Sequence, residues 1–539
     1  MPRTFRLAVL AAGALVALAL SGCGRDRRPV ASAGGTLVAA TLTDLQGVNE
    51  LVSADNRFTG EILEQLFPRL LEEQPDFESG PPSFAPRLAE SWVRSADGRE
   101  IVFRLREGLT WSDGVPLTAE DVRFTYEAQT SPAVAWSYAH VKDAIESVDV
   151  LDPRTVRFRF REVYATQLLD ANEGGILPKH VWGARPFASW RENADWFRDH
   201  LVVSGPFRLA SWRPAQEIVL ERNPRYFEPG LPRLDRVVFR VVPDQGAQLA
   251  QLQGGGLDFV LGVPPARATE IEADPALELL RFWNRQYDYV AWNTRRPLFA
   301  DPAVRRALTL GIDRQGLVDA LWYGQARPAV SPVLSTSWAF KRGLEPWPYD
   351  PAEAGRLLEA AGWVDRDGDG VREKEGRRFA FDLVTNAGNR VRVDAAVMIQ
   401  AQLARVGIEV RPRPLDLNTL NERALAHEFD AILSGWGIDT SMDLRFAFHS
   451  EEAEGGYNFG GYANPEVDRL IDSVRRQADL EAAKPLFDRL QEILHEEQPY
   501  TLLWEPRRLA AARSTLRDAQ PNALATFFRL EEWWLAPPP

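Results

Sequence analysis

One cysteine, Cys23, stands in 539 residues, so the chain can build neither an internal disulfide nor a cysteine-ligated zinc site. Histidine is almost as scarce. The six, His140, His180, His200, His427, His449 and His495, are dispersed, with no pair at metal-ligand spacing. His495-Glu496-Glu497-Gln498-Pro499 begins like a zinc-protease helix, but the second histidine is missing and a proline ends it. No Gly-x-Ser-x-Gly elbow and no Gly-x-x-x-x-Gly-Lys phosphate loop occurs. Gly254-Gly255-Gly256 precedes a strand and follows a glutamine-rich helical stretch, the wrong order for a dinucleotide loop. Basic residues are outnumbered 63 to 76, a net charge of −13, which makes the chain a poor non-specific ligand for nucleic acid. Together these absences argue against an enzyme, a resident cofactor and a nucleic-acid partner.

Long apolar runs are also lacking, except at the start. Arg3 and Arg6 precede an unbroken apolar or small-residue run from Leu7 to Leu20. That run falls short of the ~20 residues a membrane span needs, but it suits the core of a secretory signal. It ends in Leu20-Ser21-Gly22-Cys23, which resembles a bacterial lipobox. The resemblance implies a signal peptide over 1–22 and a lipidated Cys23, with a polar, small-residue tether over 23–35. The chain would then be held at the cell envelope by its lipid, periplasmic in a two-membrane host or on the outer face of the cell membrane. A plain signal peptide with an incidental cysteine is the simpler alternative.

What remains is a large body with 45% hydrophobic residues and 17 tryptophans, long enough for more than one lobe. Ile101, Phe103 and Leu105 alternate as a half-buried strand, as do Val156, Phe158 and Phe160. Helices become denser in the second half. Asp350-Pro351 and Asn464-Pro465 each give a cap followed by proline at the first helical position. The spacing predicts a further helix over Ala395 to Val406, feeding a strand over Gly407 to Val410. Strands interleaved with helices predict an α/β class.

Several segments carry a resemblance. LAESWVRSADGREIVFRLREGLTWSDGVPLTAEDVRFTYEA (Leu88 to Ala128) resembles the signature region of bacterial extracellular solute-binding proteins of family 5, the peptide, oligopeptide and nickel-chelate group that feeds ABC importers. ILPKHVW, VSGPFRLASW, LERNPRYFEPGLPRLDRVVF, YVAWNTRRPLFADPAVRRALTLGIDR, YDPAEAGRLLEAAGW and GYANPEVDRLID follow in the family's order and spacing. The resemblance implies a two-lobed, periplasmic-binding-protein-like clamshell (type II, large cluster C) with a hinge of two chain crossings. Lobe I would take 36–285 and, after a return, 505–539; lobe II would take 286–504. The crossings are expected near Asn284 to Asn293 and Tyr500 to Trp504. A monomer that captures a small peptide and passes it to a permease is the implied function. The same scaffold in other branches carries nickel chelates, oligosaccharides or opines, and a ligand-sensing receptor is a further alternative.

The resemblance also nominates a ligand site. Gly435, Trp436 and Asp439 match the family's Gly-Trp-x-x-Asp arrangement, which implies Asp439 as the partner of a ligand ammonium and Trp436 as a cleft wall. A ligand carboxylate calls for an arginine fork, for which Arg390 and Arg392 are candidates. Tyr289 and Asn293 could line the cleft, with Trp292 on the opposite strand face. His449, ten residues past Asp439, is the candidate that a nickel chelate would use. Finally, GWVDRDGDGVREKEG (Gly362 to Gly376) opens like a calcium loop, with Asp365, Asp367, Asp369 and Glu373 at its first, third, fifth and ninth positions. Gly376 occupies the twelfth, where a glutamate belongs, and a strand pattern follows instead of a helix. A structural turn is therefore expected, with calcium as the alternative.

Overall fold

A computed structural model describes residues 34–53 and 56–537. The expected signal peptide, Cys23 and nearly all of the expected tether lie outside the described residues. Among the described residues no helix is long and apolar enough to cross a membrane.

The molecule is organised around one long strand, Tyr500–Arg513. Its first half pairs antiparallel with Gln286–Trp292, and its second half with Leu277–Trp283 and Phe259–Leu261. Leu277–Trp283 and Gln286–Trp292 are separated only by Asn284 and Arg285. The chain thus passes twice, side by side, between two half-sheets. On one side the order continues through Thr36–Thr41, Arg236–Val241, Glu217–Arg222 and Phe207–Arg213. On the other it continues through Ala431–Gly437, Ala380–Asn386 and Glu409–Leu415. Both halves mix parallel and antiparallel pairs.

Burial follows the same division. One main core, with a small satellite, draws on residues between Leu37 and Phe282 and again between Leu509 and Trp533. Two further cores, one on each face of the second half-sheet, draw on residues between Tyr287 and Trp504. Strand alternation sorts them: Tyr287, Tyr289 and Ala291 face one, Val290 and Trp292 the other. A separate four-stranded antiparallel sheet joins the alternating segments noted above, with Ile101 opposite Phe158 and Phe103 opposite Val156.

The helix starts obey their caps. Asp350 accepts from the Glu353 amide at 2.8 Å and opens Pro351–Ala360; Asn464 accepts from Glu466 at 2.8 Å and opens Pro465–Arg475. Two neighbouring elements have other bounds than the sequence-based reading: the strand expected over Gly407 to Val410 runs Glu409–Leu415, and the helix before it spans Arg390–Ala404. The helix predicted from Ala395 begins at Arg390, because Asn389 accepts from the Arg392 amide and caps it five residues earlier. Arg390-Val391-Arg392-Val393 has no apolar stripe to announce this start.

The halves touch face to face. Trp338 donates its backbone N–H to the Phe77 carbonyl at 2.8 Å, and Arg94 reaches the Ala478 carbonyl at 3.0 Å. The Thr440 hydroxyl donates to Glu73.

Candidate functional site

The two-strand crossing forms the back of the cleft between the half-sheets. Arg285, in the crossing itself, donates from Nε to the Ala523 carbonyl at 3.1 Å. Its backbone carbonyl accepts from Ile438 N–H at 2.8 Å, which fixes the segment after Ala431–Gly437 against it. Asp439 follows at once. It is exposed, accepts from the Ser441 hydroxyl at 2.7 Å, and has no ion pair among the described residues. Its charge is felt by Arg285 and by Asp443, whose carboxyl is pushed up first by burial and then by Asp439. An uncommitted carboxylate beside a second, crowded one favours an incoming cation.

Glu73, on the other half, accepts from the hydroxyl of Thr440, the residue after Asp439; burial raises its carboxyl, opposed by that hydroxyl and by Arg285. Arg69, whose charge also reaches Glu73, is shared by Glu173, at 2.7 Å, and Glu64, at 3.2 Å. Glu64 is 44% exposed and has protein groups of both signs around it. Burial pushes its carboxyl up to about 7; Arg69 opposes this, while Glu61, Glu50 and Glu173 add to it.

The residues nominated from sequence have separate fates. Trp436 is half-buried in an aromatic group, stacked 5.4 Å from Phe459 and edge-on to Phe446 at 5.0 Å. Gly435 is needed for a packing reason: a Cβ there would overlap Asp288 and the Arg392 guanidinium. Arg392 does not await a ligand. It grips Asp288 through Nε and Nη2, both at 3.0 Å, with side-chain exposures of 12% and 3%. Arg390 points to solvent and pairs with Asp394 one helical turn away at 3.0 Å. Asn293 is buried and donates to the His427 and Phe429 carbonyls, which leaves it nothing to offer a ligand. Tyr289 is buried flat against Tyr500 at 4.3 Å. Arg392 and Asn293 are thus engaged within the fold, whereas Arg390 stays exposed in a surface pair with Asp394.

His449 is buried beside Asp472 and caps a turn by accepting from Glu451 N–H at 3.2 Å. In the acidic turn, Asp365 accepts from Gly368 and Gly370 amides at 2.8 and 3.0 Å, and Asp369 pairs with Arg378. Oxygens of Asp365, Asp367 and Glu373 lie within 4.8 Å of one another; Asp369 is not in that group. The turn leads into a hairpin, Glu373–Lys374 with Arg377–Arg378, whose two-residue loop has positive φ at Glu375 and Gly376.

Glu64, Glu73, Arg69 and Arg285 were not found by sequence reasoning. Each sits in a segment with no motif, and only the crossing near Asn284 hinted that Arg285 would be central.

The comparisons agree with this architecture. The model for "Bacterial extracellular solute-binding proteins, family 5 Middle" matches residues 83–457. The oligopeptide-binding protein AppA of Bacillus subtilis is 31% identical over 550 residues, covering 99% of both chains. Its solved structure, in complex with a nonapeptide, superposes with a TM-score of 0.78 over 94% of this chain and 100% of that one. Di/tripeptide-binding protein 2 of Pseudomonas aeruginosa is 27% identical, covering 82% of this chain and 84% of its own. NikZ from Campylobacter jejuni, in complex with Ni(L-His), shares the fold at a TM-score of 0.78 and 24% identity, covering 93% of this chain and 99% of its own. The chain belongs to the bacterial extracellular solute-binding proteins of family 5.

Proposed function

We propose that this protein is the substrate-binding component of an ABC importer, capturing small peptides between its lobes and delivering them to a membrane permease. The observation that carries the reading is the end-to-end match to an oligopeptide-binding protein whose structure holds a peptide. Asp439, which has no ion pair among the described residues, gives the reading its chemistry, since a peptide ammonium withdrawn from water between the lobes must be paired.

The lobes are 36–285 with 505–539, and 286–504. They turn about two adjacent crossings, at Asn284-Arg285 and, just beyond the expected Tyr500 to Trp504, at Glu505 to Arg507, where Tyr500–Arg513 changes partner from Gln286–Trp292 to Leu277–Trp283. A ligand that touches both lobes stabilises the closed form, in which Trp338 meets Phe77 and Thr440 meets Glu73. The permease reads that form. The protein performs no chemistry on its cargo and acts as a monomer held to the membrane by lipid on Cys23. The acidic turn at Asp365 is structural, with backbone amides and Arg378 serving its carboxylates.

The test is to purify the protein natively, denature it, and identify what it releases by mass spectrometry. Released peptides support the reading; a released sugar or metal chelate overturns it.

A further inference from the structure

A cavity of about 180 Å³ is lined from both lobes, far larger than the ~15 Å³ that admits one water. Glu78 and Trp283 line it from the first lobe; Arg327, Thr336, Phe340 and Arg342 line it from the second. Trp283 ends the strand before the first crossing, and Arg327 pairs in register with Glu505 at the second.

The lining charges are balanced. Arg327 is held by buried Glu505 at 2.9 Å and lies 3.9 Å over the Trp283 ring. Arg507 covers the same ring at 4.5 Å but does not line the cavity. Ser335, also in the lining, serves Glu505 with its backbone N–H at 2.9 Å and with its hydroxyl. Glu78 and Arg342 are exposed, one on each lobe, and neither forms an ion pair among the described residues. What remains is hydrogen-bonding capacity. Thr336 is buried, and its hydroxyl has no partner among the described residues. Ser337, again in the lining, accepts from the Ala339 amide at 3.1 Å, while its own O–H has no acceptor among those residues.

A charged guest meets a charge of its own sign on one wall, Arg342 for a cation and Glu78 for an anion. An apolar guest strips water from the Thr336 and Ser337 hydroxyls and gives nothing back. A neutral group that both donates and accepts escapes both costs. The cavity also lies on the seam that carries Asp439. The lobes meet where Thr440, next to Asp439, reaches Glu73, and where Trp338, next to Ser337, reaches Phe77. Glu73 and Glu78 are five residues apart, at most ~18 Å, a span that about six residues of extended peptide cover. A short peptide with its amine on Asp439 is long enough to place a side chain in the cavity.

We propose that this cavity is a specificity pocket of the peptide site, taking an uncharged hydrogen-bonding side chain, a hydroxyl or a carboxamide, of a ligand whose amine is on Asp439. The assignment rests on the peptide reading above.

The experiment uses the most abundant peptide released by the wild-type protein, resynthesised with each position after the first changed in turn to Gln, Leu, Glu and Lys. Binding is measured to ligand-stripped wild type, Thr336→Val, Glu78→Gln and Arg342→Gln, with thermal unfolding of each. The expected result is one position at which wild type holds Gln tenfold or more tighter than Leu, Glu and Lys. At that position Thr336→Val narrows the gap between Gln and Leu, Glu78→Gln recovers Glu, and Arg342→Gln recovers Lys, each by threefold or more. If Thr336→Val is unstable, the two variants at exposed positions decide the matter. No such position, or one that prefers Leu, Glu or Lys, overturns the pocket and leaves the peptide reading standing. A Gln preference that none of the variants alters has its source elsewhere and also overturns the pocket. A wild-type protein that releases no peptide overturns the peptide reading, and the pocket with it.

Discussion

Arg392 and Asp288 form a bidentate ion pair, both contacts at 3.0 Å, between the first turn of helix Arg390–Ala404 and the strand Gln286–Trp292 next to the hinge. Gly435 lies beneath them, with no room for a side chain. The pair, not a ligand, accounts for why an arginine stands at 392.

Its energetic consequence can be measured. Removing one partner leaves a charge buried, which costs roughly 3 kcal/mol or more. Arg392→Ala and Asp288→Ala should each lower the free energy of unfolding by about that amount in denaturant titrations. A double replacement by apolar residues of similar volume should recover much of the loss.

Glu64 gives the protein a pH dependence of definite sign. An unfolded glutamate titrates near ~4.3, whereas Glu64 in the folded protein is raised to about 7. The folded state holds the proton more tightly, so this contribution is fully present below the unfolded value and is lost as pH rises through about 7. Glu64→Gln should therefore be more stable than the wild type at pH 8, with the advantage gone near pH 4.5. Denaturation midpoints at the two pH values check it. A wild-type advantage at pH 8 would contradict the assignment.

The acidic turn should be silent in ligand binding. Asp367→Asn is expected to leave the released cargo and its affinity unchanged, with or without added calcium. Isothermal titration with the released ligand decides the matter. Calcium-dependent binding that this variant abolishes would make the turn a functional metal site.

The lipid anchor proposed at Cys23 predicts where the protein fractionates. Wild-type protein expressed in its own host should sediment with membranes, and Cys23→Ser should appear in the soluble envelope or culture fraction. Equal partitioning of the two forms would remove the anchor from the account.

What could be read from the sequence follows a physical divide. Local grammar was legible: Asp350-Pro351 and Asn464-Pro465 open helices as written, and the alternation at Ile101 and Val156 pairs two strands. The hairpin after the acidic turn was legible too, because the strand pattern that follows Gly376 is a local fact. Partnership between charges was not. Arg392 looked available because Asp288 is 104 residues away, and Asn293 looked available because the carbonyls it serves are more than 130 residues away. Even the local Asn389 cap was overshadowed, for the helix it opens has no apolar stripe in its first turn.

The central claim is that Asp439 receives the ammonium of a peptide held in the cleft. Its most direct measurement is the affinity of wild type and Asp439→Ala for the released peptide, with a free and with an acetylated N-terminus. The account predicts that acetylation weakens binding to wild type by tenfold or more, that Asp439→Ala loses a similar factor for the free amine, and that the variant no longer distinguishes the two forms. An Asp439→Ala protein that binds the free peptide as tightly as wild type, and still rejects the acetylated one, would contradict it.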